Sequence, residues 1–478
     1  MSDVLFLSLY FFAPLVIVKI MYSNELSFLK ISIPSFLIIN IFIFSYIGAL
    51  PLYFGWDEYR AEVGVSDRQL ILTVCLFSTV AMLGLMVGYR AGLRLLGGRK
   101  LSSVSTLVPR AASGGELAWL VILVVFCFLV LCFYLLKLPE IGINKLVSGD
   151  GQGLAMVRSK MTNDFPGKYH WYSVIMHDLF NMVTFALFSA WVLSRKKIVL
   201  VLFVIAFVGS GFSAIMGLEK APFAWLLFGV LLTYCLTSLE GRVPIRALVI
   251  LSTLLLVILS FLSVAYISDD FVSKSVESVE SVESVESVNK VEHAVKLVFS
   301  RVFTGSLQPA YHYLEFFPAE HNYLLGKSFP NPAGVIPYES YNLTGEVMNW
   351  KYPEIAKTGV VGTMPAVFWG EAYANFGIAG VFIVPVIIGL MLFFVSFFFS
   401  EVNNSPLKIG FLVWVILHYK DLSITGFSGH LFDFKLTIIL AVFLLMKLTT
   451  IHLNERSSSN NLCLREKVFG WILNKVKS

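Results

Sequence analysis

The chain is a succession of long apolar stretches separated by short polar segments. About twenty consecutive apolar residues are needed to cross the hydrocarbon core of a bilayer, where the backbone must satisfy its hydrogen bonds within a helix. The pattern therefore predicts an all-α polytopic membrane protein with about eleven spans. The predicted spans are 4–20, 31–54, 70–89, 117–136, 172–194, 198–216, 221–238, 247–267, 377–400, 409–427 and 433–450.

Two polar segments are long enough to form structure outside the bilayer. Residues 137–171 form the smaller loop, and residues 268–376 form the larger one, which is rich in Pro, Gly and Tyr. The larger loop contains a three-residue repeat at 275–288 that matches no helical period closely, and we expect a solvated helix or a disordered spacer there. The chain thus divides into a bundle of eight predicted spans, the large loop, three further spans and a basic tail, over residues 1–267, 268–376, 377–450 and 451–478.

Lysine and arginine residues indicate the orientation of these spans. They collect in the loop from Arg90 to Arg110, in the turn from Arg195 to Lys197, and at Arg242 and Arg246. Because short loops rich in Lys and Arg stay in the cytoplasm, these three segments are predicted to be cytoplasmic. The N-terminus and both long loops then lie outside, and the basic C-terminal tail lies in the cytoplasm.

Composition excludes several classes of protein. With 57% hydrophobic and 14% charged residues, the chain cannot hide its apolar surface inside a soluble fold. A formal net charge of +5 is small for this length and gives no support to nucleic-acid binding. The cysteines form no CxxC pair, and the spacing of His312 and His321 is not that of metal ligands. We therefore expect no metal, no cofactor and no disulfide framework.

Ionisable residues in or beside the predicted spans are the first candidates for chemistry, because charges are costly in lipid. They fall in the outer half of the membrane or at its outer surface, and the middles of spans two, three and eight carry none. This asymmetry predicts a polar chamber that faces outward; the alternative is that these side chains pair with one another to hold helices together. The residues are His177, Asp178, Glu219, Lys220, Glu371, His418, Lys420, Asp421, His430 and Asp433.

The outer loops add cations to this chamber. Arg158 and Lys160 lie in the first loop, and Arg301 and Lys327 lie in the second. Arginine offers a planar fork of donors to phosphate oxygens and lysine offers a compact charge, so both suit a pyrophosphate group. Contact with lipid headgroups is the alternative interpretation.

Three segments of the chain resemble the O-antigen polymerase (Wzy) family of bacterial oligosaccharide repeat-unit polymerases. They are RVFTG at 301–305, LLGKSFPNPAGVIP at 324–337 and GTMPAVFWGEAYANFGIAGVF at 362–382. The many spans, with one large outer loop before the last few helices, are similar to that family over nearly the whole length. The resemblance implies a fold like that of the multi-span GT-C glycosyltransferases.

The resemblance also implies a reaction and its partners. The enzyme would be a glycosyltransferase in the bacterial cytoplasmic (inner) membrane that transfers a growing glycan from undecaprenyl pyrophosphate to a newly flipped, lipid-linked repeat unit. Donor and acceptor are both glycans linked to undecaprenyl pyrophosphate, within the lipid bilayer. A flippase and a chain-length regulator are the implied protein partners.

Site residues are assigned within this implied reaction. The acceptor hydroxyl needs a base within hydrogen-bond reach, for which Glu371 is the first choice and Asp421 and His312 are the alternatives. Pyrophosphate would be bound by cations, and sugar rings would stack on aromatic side chains, although Tyr and Trp are also enriched at membrane interfaces. The predicted cations are Arg158, Lys220, Arg301 and Lys327, and the predicted stacking residues are Tyr311, Tyr338 and Trp369.

Two other functions remain open from the sequence. An O-antigen ligase would use the same pyrophosphate-linked donor and a similar outer loop. A polysaccharide flippase or other transporter would also have many spans, but charges distributed through the bundle and internal repeats are typical of such proteins and are not evident here.

The orientation can be tested with reporter fusions. A reporter fused after residue 100 or residue 197 should report the cytoplasm, because both positions adjoin clusters of basic residues, and one fused near residue 330 should report the outer side. An outer signal from residue 197 would overturn the predicted placement of the site.

Overall fold

The computed structural model describes residues 2–96, 110–138, 140–141, 157, 160–162, 165, 168–217, 220–244, 246, 253, 296, 299–331, 334–357, 362–402 and 404–450. In this part of the chain the secondary structure is helical, and extended pairing is limited to two isolated bridges. The predicted span 247–267, the repeat 275–288 and the tail 451–478 lie outside the ranges just given, apart from the single residue 253.

We number the helices in chain order. The longer ones are α1 (Ser2–Ser23), α2 (Ile33–Ser45), α5 (Arg68–Leu95), α6 (Gly114–Lys137), α7 (Tyr169–Ser194), α8 (Lys197–Ile215), α9 (Lys220–Ser238), α13 (Phe368–Glu401), α14 (Pro406–Tyr419) and α16 (residues 434–450). The shorter ones are α3 (Ala49–Tyr53), α4 (Glu58–Glu62), α10 (Gln308–Phe316), α11 (Leu343–Lys351), α12 (Pro353–Lys357) and α15 (Ser428–Leu431).

Eight of the described helical segments are long and apolar enough to cross a membrane. They are α1, α2 together with α3, α5, α6, α7, α8, α9 and α13. The chain is therefore a helical membrane protein. The largest differences from the predicted boundaries lie at three helix ends. Helix α5 continues to Leu95 rather than ending at residue 89, α13 begins at Phe368 rather than at residue 377, and α14 ends at Tyr419, where a 3-10 turn over Lys420–Ser423 follows it. At each of these ends polar residues continue or end the helix, which a count of apolar residues does not detect.

Side-chain caps set several of the helix starts. Asp67 accepts a hydrogen bond from the backbone N–H of Gln69 at 2.7 Å, and Ser113 and Glu116 form a reciprocal capping box. Ser405 caps α14, its hydroxyl accepting a hydrogen bond from the backbone N–H of Lys408. These caps satisfy backbone N–H groups that have no partner in the first helical turn.

The close packing of α5 against α13 depends on glycines. A Cβ atom added to Gly88 would lie 2.0 Å from the carbonyl oxygen of Val386, and one added to Gly389 would lie 2.1 Å from that of Leu85. Small residues are typical of membrane helix interfaces, because they let two backbones approach and gain van der Waals contact. The part of α13 beyond Gly377 is thereby held close to α5.

The two ends of the bundle differ in chemistry. At one end, the turn after α1 bonds to the turn after α9, where the N–H of Ile31 donates to the carbonyl of Gly241 at 2.9 Å. Asn24 lies at this end too and donates to the carbonyl of Met86, near the basic end of α5. At the other end Asp3 pairs with Arg68 at the start of α5. The polar residues of the predicted chamber belong to this second end.

The glycine interface gives a stability prediction. Replacing Gly88 with Ala should lower the thermal stability of the purified protein by about 1–3 kcal/mol, because the methyl group must push α5 away from α13. Replacing Gly211 with Ala is the matched control, since its added Cβ meets only ordinary contacts at 3.5 Å and Ala favours a helix. Equal stability of the two variants would contradict the proposed packing constraint.

Candidate functional site

A cavity of about 860 Å³ lies at the second end of the bundle. Its walls come from the parts of α7, α9 and α14 at this end, from the first turn of α13, from the segment 420–435, and from the loop segments that precede α13. Helices α7, α13 and α14 and the segment 420–435 contribute acidic, basic and histidine side chains to the lining. They are His177, Asp178, Glu371, His418, Lys420, Asp421, His430, Asp433 and Lys435.

Glu371 is the most firmly held of these side chains. Its Oε1 accepts hydrogen bonds from the hydroxyls of Ser328, at 2.7 Å, and Ser428, at 2.6 Å. Its Oε2 accepts one from the backbone N–H of Ser428 at 2.9 Å. The residue is only 5% exposed. Three donors therefore fix the carboxylate between the loop that carries Ser328 and the turn that carries Ser428.

The position of Glu371 follows from a break in α13. Gly377 has φ 61° and ψ −148°, a conformation that side chains with a Cβ rarely adopt. The break leaves the carbonyls of Ala374 and Asn375 without helical donors, and the N–H groups of Leu324 and Leu325 bond to them at 3.0 Å each. The loop that contains LLGKS is thus attached to the first turns of α13.

Asn375 completes this attachment. Its side-chain oxygen accepts from the N–H of Gly326 at 3.0 Å, and its nitrogen donates to the hydroxyl of Ser328 at 2.8 Å. Ser328 in turn donates to Glu371. A continuous set of hydrogen bonds therefore runs from the broken helix, through the loop, to the cavity.

A histidine and a carboxylate form a second unit. The Nε2 of His418 is hydrogen-bonded to Oδ2 of Asp433, and both side chains are more than nine-tenths buried. The other oxygen of Asp433 accepts from the N–H of Leu436 at 2.9 Å, which caps α16. The imidazole stacks on Trp414, with ring centroids 4.9 Å apart. The ring is thus held both at its edge and on its face.

A lysine is buried beside this unit. Lys420 bonds to Oδ1 of Asp421, and its Nζ lies 4.3 Å from the ring centroid of Trp225 on α9. The Lys420 side chain is 7% exposed and that of Asp421 is 39% exposed. A cation with an ionic partner and an aromatic face can be held in this position without full hydration.

A second lysine bridges two helices at the edge of the cavity. Lys435, at the start of α16, pairs with Oδ2 of Asp178 on α7 at 3.2 Å. The other oxygen of Asp178 accepts from the indole N–H of Trp414 at 3.2 Å. The neighbouring His177 contacts the hydroxyl of Ser213 on α8. Lys435 was not among the sequence candidates; its position beside Asp433 at the rim of a span was the available signal.

His312, one of the three predicted bases, belongs to a different cluster. It is fully buried, with Nδ1 2.7 Å from Glu315 and Nε2 3.2 Å from the side-chain nitrogen of Gln308. Burial lowers the pKa of His312, so the ring is neutral near pH 7. Gln308 also accepts from Arg60 at 2.5 Å. This network ties α4 to α10 and does not line the cavity.

The predicted cations are not brought together at the cavity. Arg301 and Lys327 are exposed and are absent from its walls, although Lys327 directly precedes Ser328. Arg158 and the side chain of Lys220 lie outside what the structure describes. Of the described cations, Lys420 and Lys435 are the ones that line the cavity.

The predicted stacking residues are also elsewhere. Trp369 is fully buried and packs edge-on against Phe77, and Tyr311 is 1% exposed, with its hydroxyl accepting from the N–H of Asp67. Tyr338 is half-buried and donates to the carbonyl of Phe329 at 2.9 Å. The aromatic rings that do line the cavity are those of Phe185, Trp225, Tyr313, Tyr341, Trp414, Phe432 and Phe434.

The cavity lining has a defined chemical character. Four carboxylates face two lysines among the described side chains, with three histidines and several aromatic faces between them. Carboxylates accept hydrogen bonds from hydroxyl groups, and aromatic faces pack against apolar ring surfaces. The described residues contain no group of three potential metal ligands. The lining therefore suits a polyhydroxylated ligand.

Comparisons of this chain with models of known protein families, with curated proteins and with solved structures find no match.

A matched pair of glycines tests the geometry around Glu371. A Cβ atom on Gly426 would lie 2.2 Å from Oε2 of Glu371, whereas one on Gly429, in the same turn, would meet nothing within 4 Å. Gly426→Ala should therefore displace the carboxylate from its donors and lower thermal stability by about 1–3 kcal/mol. Gly429→Ala should leave the melting temperature nearly unchanged, and an equal loss in both variants would contradict this geometry.

Proposed function

We propose that this chain is a glycosyltransferase that joins oligosaccharide repeat units, carried on undecaprenyl pyrophosphate, into a surface polysaccharide at the outer face of the bacterial cytoplasmic membrane. The observation that carries the proposal is the cavity, in which a histidine–carboxylate pair, a buried lysine and aromatic faces meet at one end of a membrane bundle. Two of the three segments that resemble the polymerase family, 324–337 and 362–382, meet there at Glu371.

The proposed reaction breaks one bond and forms one. A hydroxyl oxygen of the acceptor sugar attacks the anomeric carbon of the donor glycan, and the bond between that carbon and the pyrophosphate oxygen breaks. The electron pair of this bond leaves with undecaprenyl pyrophosphate, and the hydroxyl proton goes to a base. The protein must therefore supply a base and stabilise a leaving anion.

His418 is the base that the geometry favours. Its Nε2–H donates to Asp433, and among the described residues no partner bonds to Nδ1, which keeps a lone pair to accept the hydroxyl proton. Asp433 stabilises the imidazolium that forms, because the two groups lie in direct contact in a site of low exposure. Asp421, which is more exposed, is the alternative base.

Glu371 receives a positioning role in this proposal. Its three hydrogen bonds occupy both carboxylate oxygens and fix the side chain between the loop of Ser328 and the N-terminus of α15. One lone-pair position on Oε2 remains for a sugar hydroxyl, since a carboxylate offers about four. Glu371 therefore fixes the cavity wall and accepts a hydrogen bond from the acceptor sugar.

Lys420 is proposed to stabilise the leaving pyrophosphate. An ammonium group has three N–H donors, and Asp421 occupies one of them. A pyrophosphate oxygen can take another donor, and the interaction strengthens as negative charge develops on the leaving group. Arg158 and Lys220 remain proposed cations for the same group, and a GT-C-like architecture remains part of the proposal.

Deleting the gene and analysing the surface glycan tests this function. Loss of a polymerase should leave glycan that stops at one repeat unit. Glycan absent from its final acceptor would indicate a ligase, and repeat units retained on the cytoplasmic side would indicate a flippase.

Returning the gene with His418→Gln to the deletion strain should restore at most about 1% of the polymer, the effect expected for loss of a general base. His321→Gln is the matched control, because His321 lies outside the cavity wall, and it should restore polymer fully. Wild-type polymer from His418→Gln would exclude His418 as the base.

A further inference from the structure

The short segment that follows α15 has two chemical faces. Asp433 points to His418 and caps α16, whereas its neighbours Phe432 and Phe434 are 55% and 42% exposed. Both phenylalanines nevertheless line the cavity. The segment therefore presents the carboxylate of Asp433 to His418 and two phenyl rings to the edge of the same cavity.

Other apolar side chains extend this edge on both sides. The ring of Phe432 lies 6.2 Å from that of Phe329, between centroids, and Phe329 also contacts Phe376, which is 37% exposed. On the other side Phe434 lies 6.0 Å from Trp171, which is 50% exposed. The rings thus flank the mouth of the polar cavity in two groups, Phe329 and Phe376 beside Phe432, and Trp171 beside Phe434. We call this set of rings the aromatic rim and define it by Trp171, Phe329, Phe376, Phe432 and Phe434.

A polar cavity flanked by exposed apolar rings fits a ligand with both characters. A free sugar would leave the exposed rings beyond the cavity, such as Trp171 and Phe376, without a partner, and a hydrocarbon chain alone would leave the polar cavity unfilled. An amphiphile whose polar head lies in the cavity and whose hydrocarbon tail lies on the rim satisfies both surfaces. This argument rests on the proposed function, in which the substrates are such amphiphiles.

We infer that the aromatic rim is the path by which the isoprenoid chain of the lipid-linked substrate leaves the cavity and enters the bilayer. Phe432 and Phe434 contact the first isoprene units, directly beyond the pyrophosphate. The rim then contributes to affinity for long-chain substrates and contributes little to the chemical step. It acts as a specificity surface for the lipid part of the substrate.

The experiment compares two substrates on the purified full-length protein. One carries the repeat unit on undecaprenyl pyrophosphate, and the other, the short-chain substrate, carries the same unit on pyrophosphate capped by a methyl group, which is too short to reach the aromatic rim. Phe432→Ala/Phe434→Ala should lower kcat/KM for the long-chain substrate by about tenfold or more, mainly through KM, because apolar contact area is lost. For the short-chain substrate the change should stay within about twofold.

Two controls make the result specific. Phe382→Ala/Phe394→Ala removes two rings of similar exposure, 55% and 49%, on α13 outside the cavity, and should change neither substrate. Phe432→Leu/Phe434→Leu keeps apolar side chains at the rim and should retain most of the activity on the long-chain substrate. This result would show that apolar contact, and not the phenyl rings' role in folding, determines the activity. An equal loss of activity with both substrates, or no loss with either, would overturn the inference. An equal effect of Phe382→Ala/Phe394→Ala would also overturn it, because it would indicate general contact with lipid. If the wild-type protein joins neither substrate, the proposed function itself fails.

Discussion

The break in α13 at Gly377 is the constraint on which the site depends. A helix that stops and restarts leaves backbone carbonyls without donors, and such groups are costly away from water. The N–H groups of Leu324 and Leu325 supply those donors, so the preceding loop must lie along the first turns of the helix. Ser328 is carried to Glu371 as a consequence. The backbone conformation of Gly377 thus leads to the hydrogen bond between Ser328 and Glu371 in the cavity.

The cavity keeps its charges in pairs. Lys420 pairs with Asp421, Lys435 with Asp178, and His418 with Asp433, whereas Glu371 accepts hydrogen bonds from two hydroxyls and a backbone N–H. Unpaired charges of low exposure would cost several kcal/mol each, so this pairing is a condition of folding. The same low exposure strengthens each interaction with an arriving ligand. The same residues can therefore hold the helices together and interact with a substrate. The sequence left these two interpretations, a polar chamber and pairing between helices, as alternatives.

The sequence predicted where the polar residues would gather but not which of them would act together. Ten residues were selected because charge is costly in a span, and eight of them line the cavity: His177, Asp178, Glu371, His418, Lys420, Asp421, His430 and Asp433. The other two, Glu219 and the side chain of Lys220, lie outside what the structure describes. His312, Trp369 and Tyr311 were selected by residue type, and of the three Trp369 lies in a resembling segment. They are buried in contacts of their own, because residue type says nothing about the direction in which a side chain points.

Hydropathy by itself determined that the chain is a helical membrane protein and placed most of its long helices to within a few residues, because the bilayer imposes both length and apolar content. Contacts between distant segments decided the rest. The pairing of His418 with Asp433 joins residues on two helices, and the contact of Ser328 with Glu371 joins a loop to a broken helix. Such pairs depend on helix rotation, on the turn at Lys420–Ser423 and on the conformation of Gly377, which arise only when all the helices pack together.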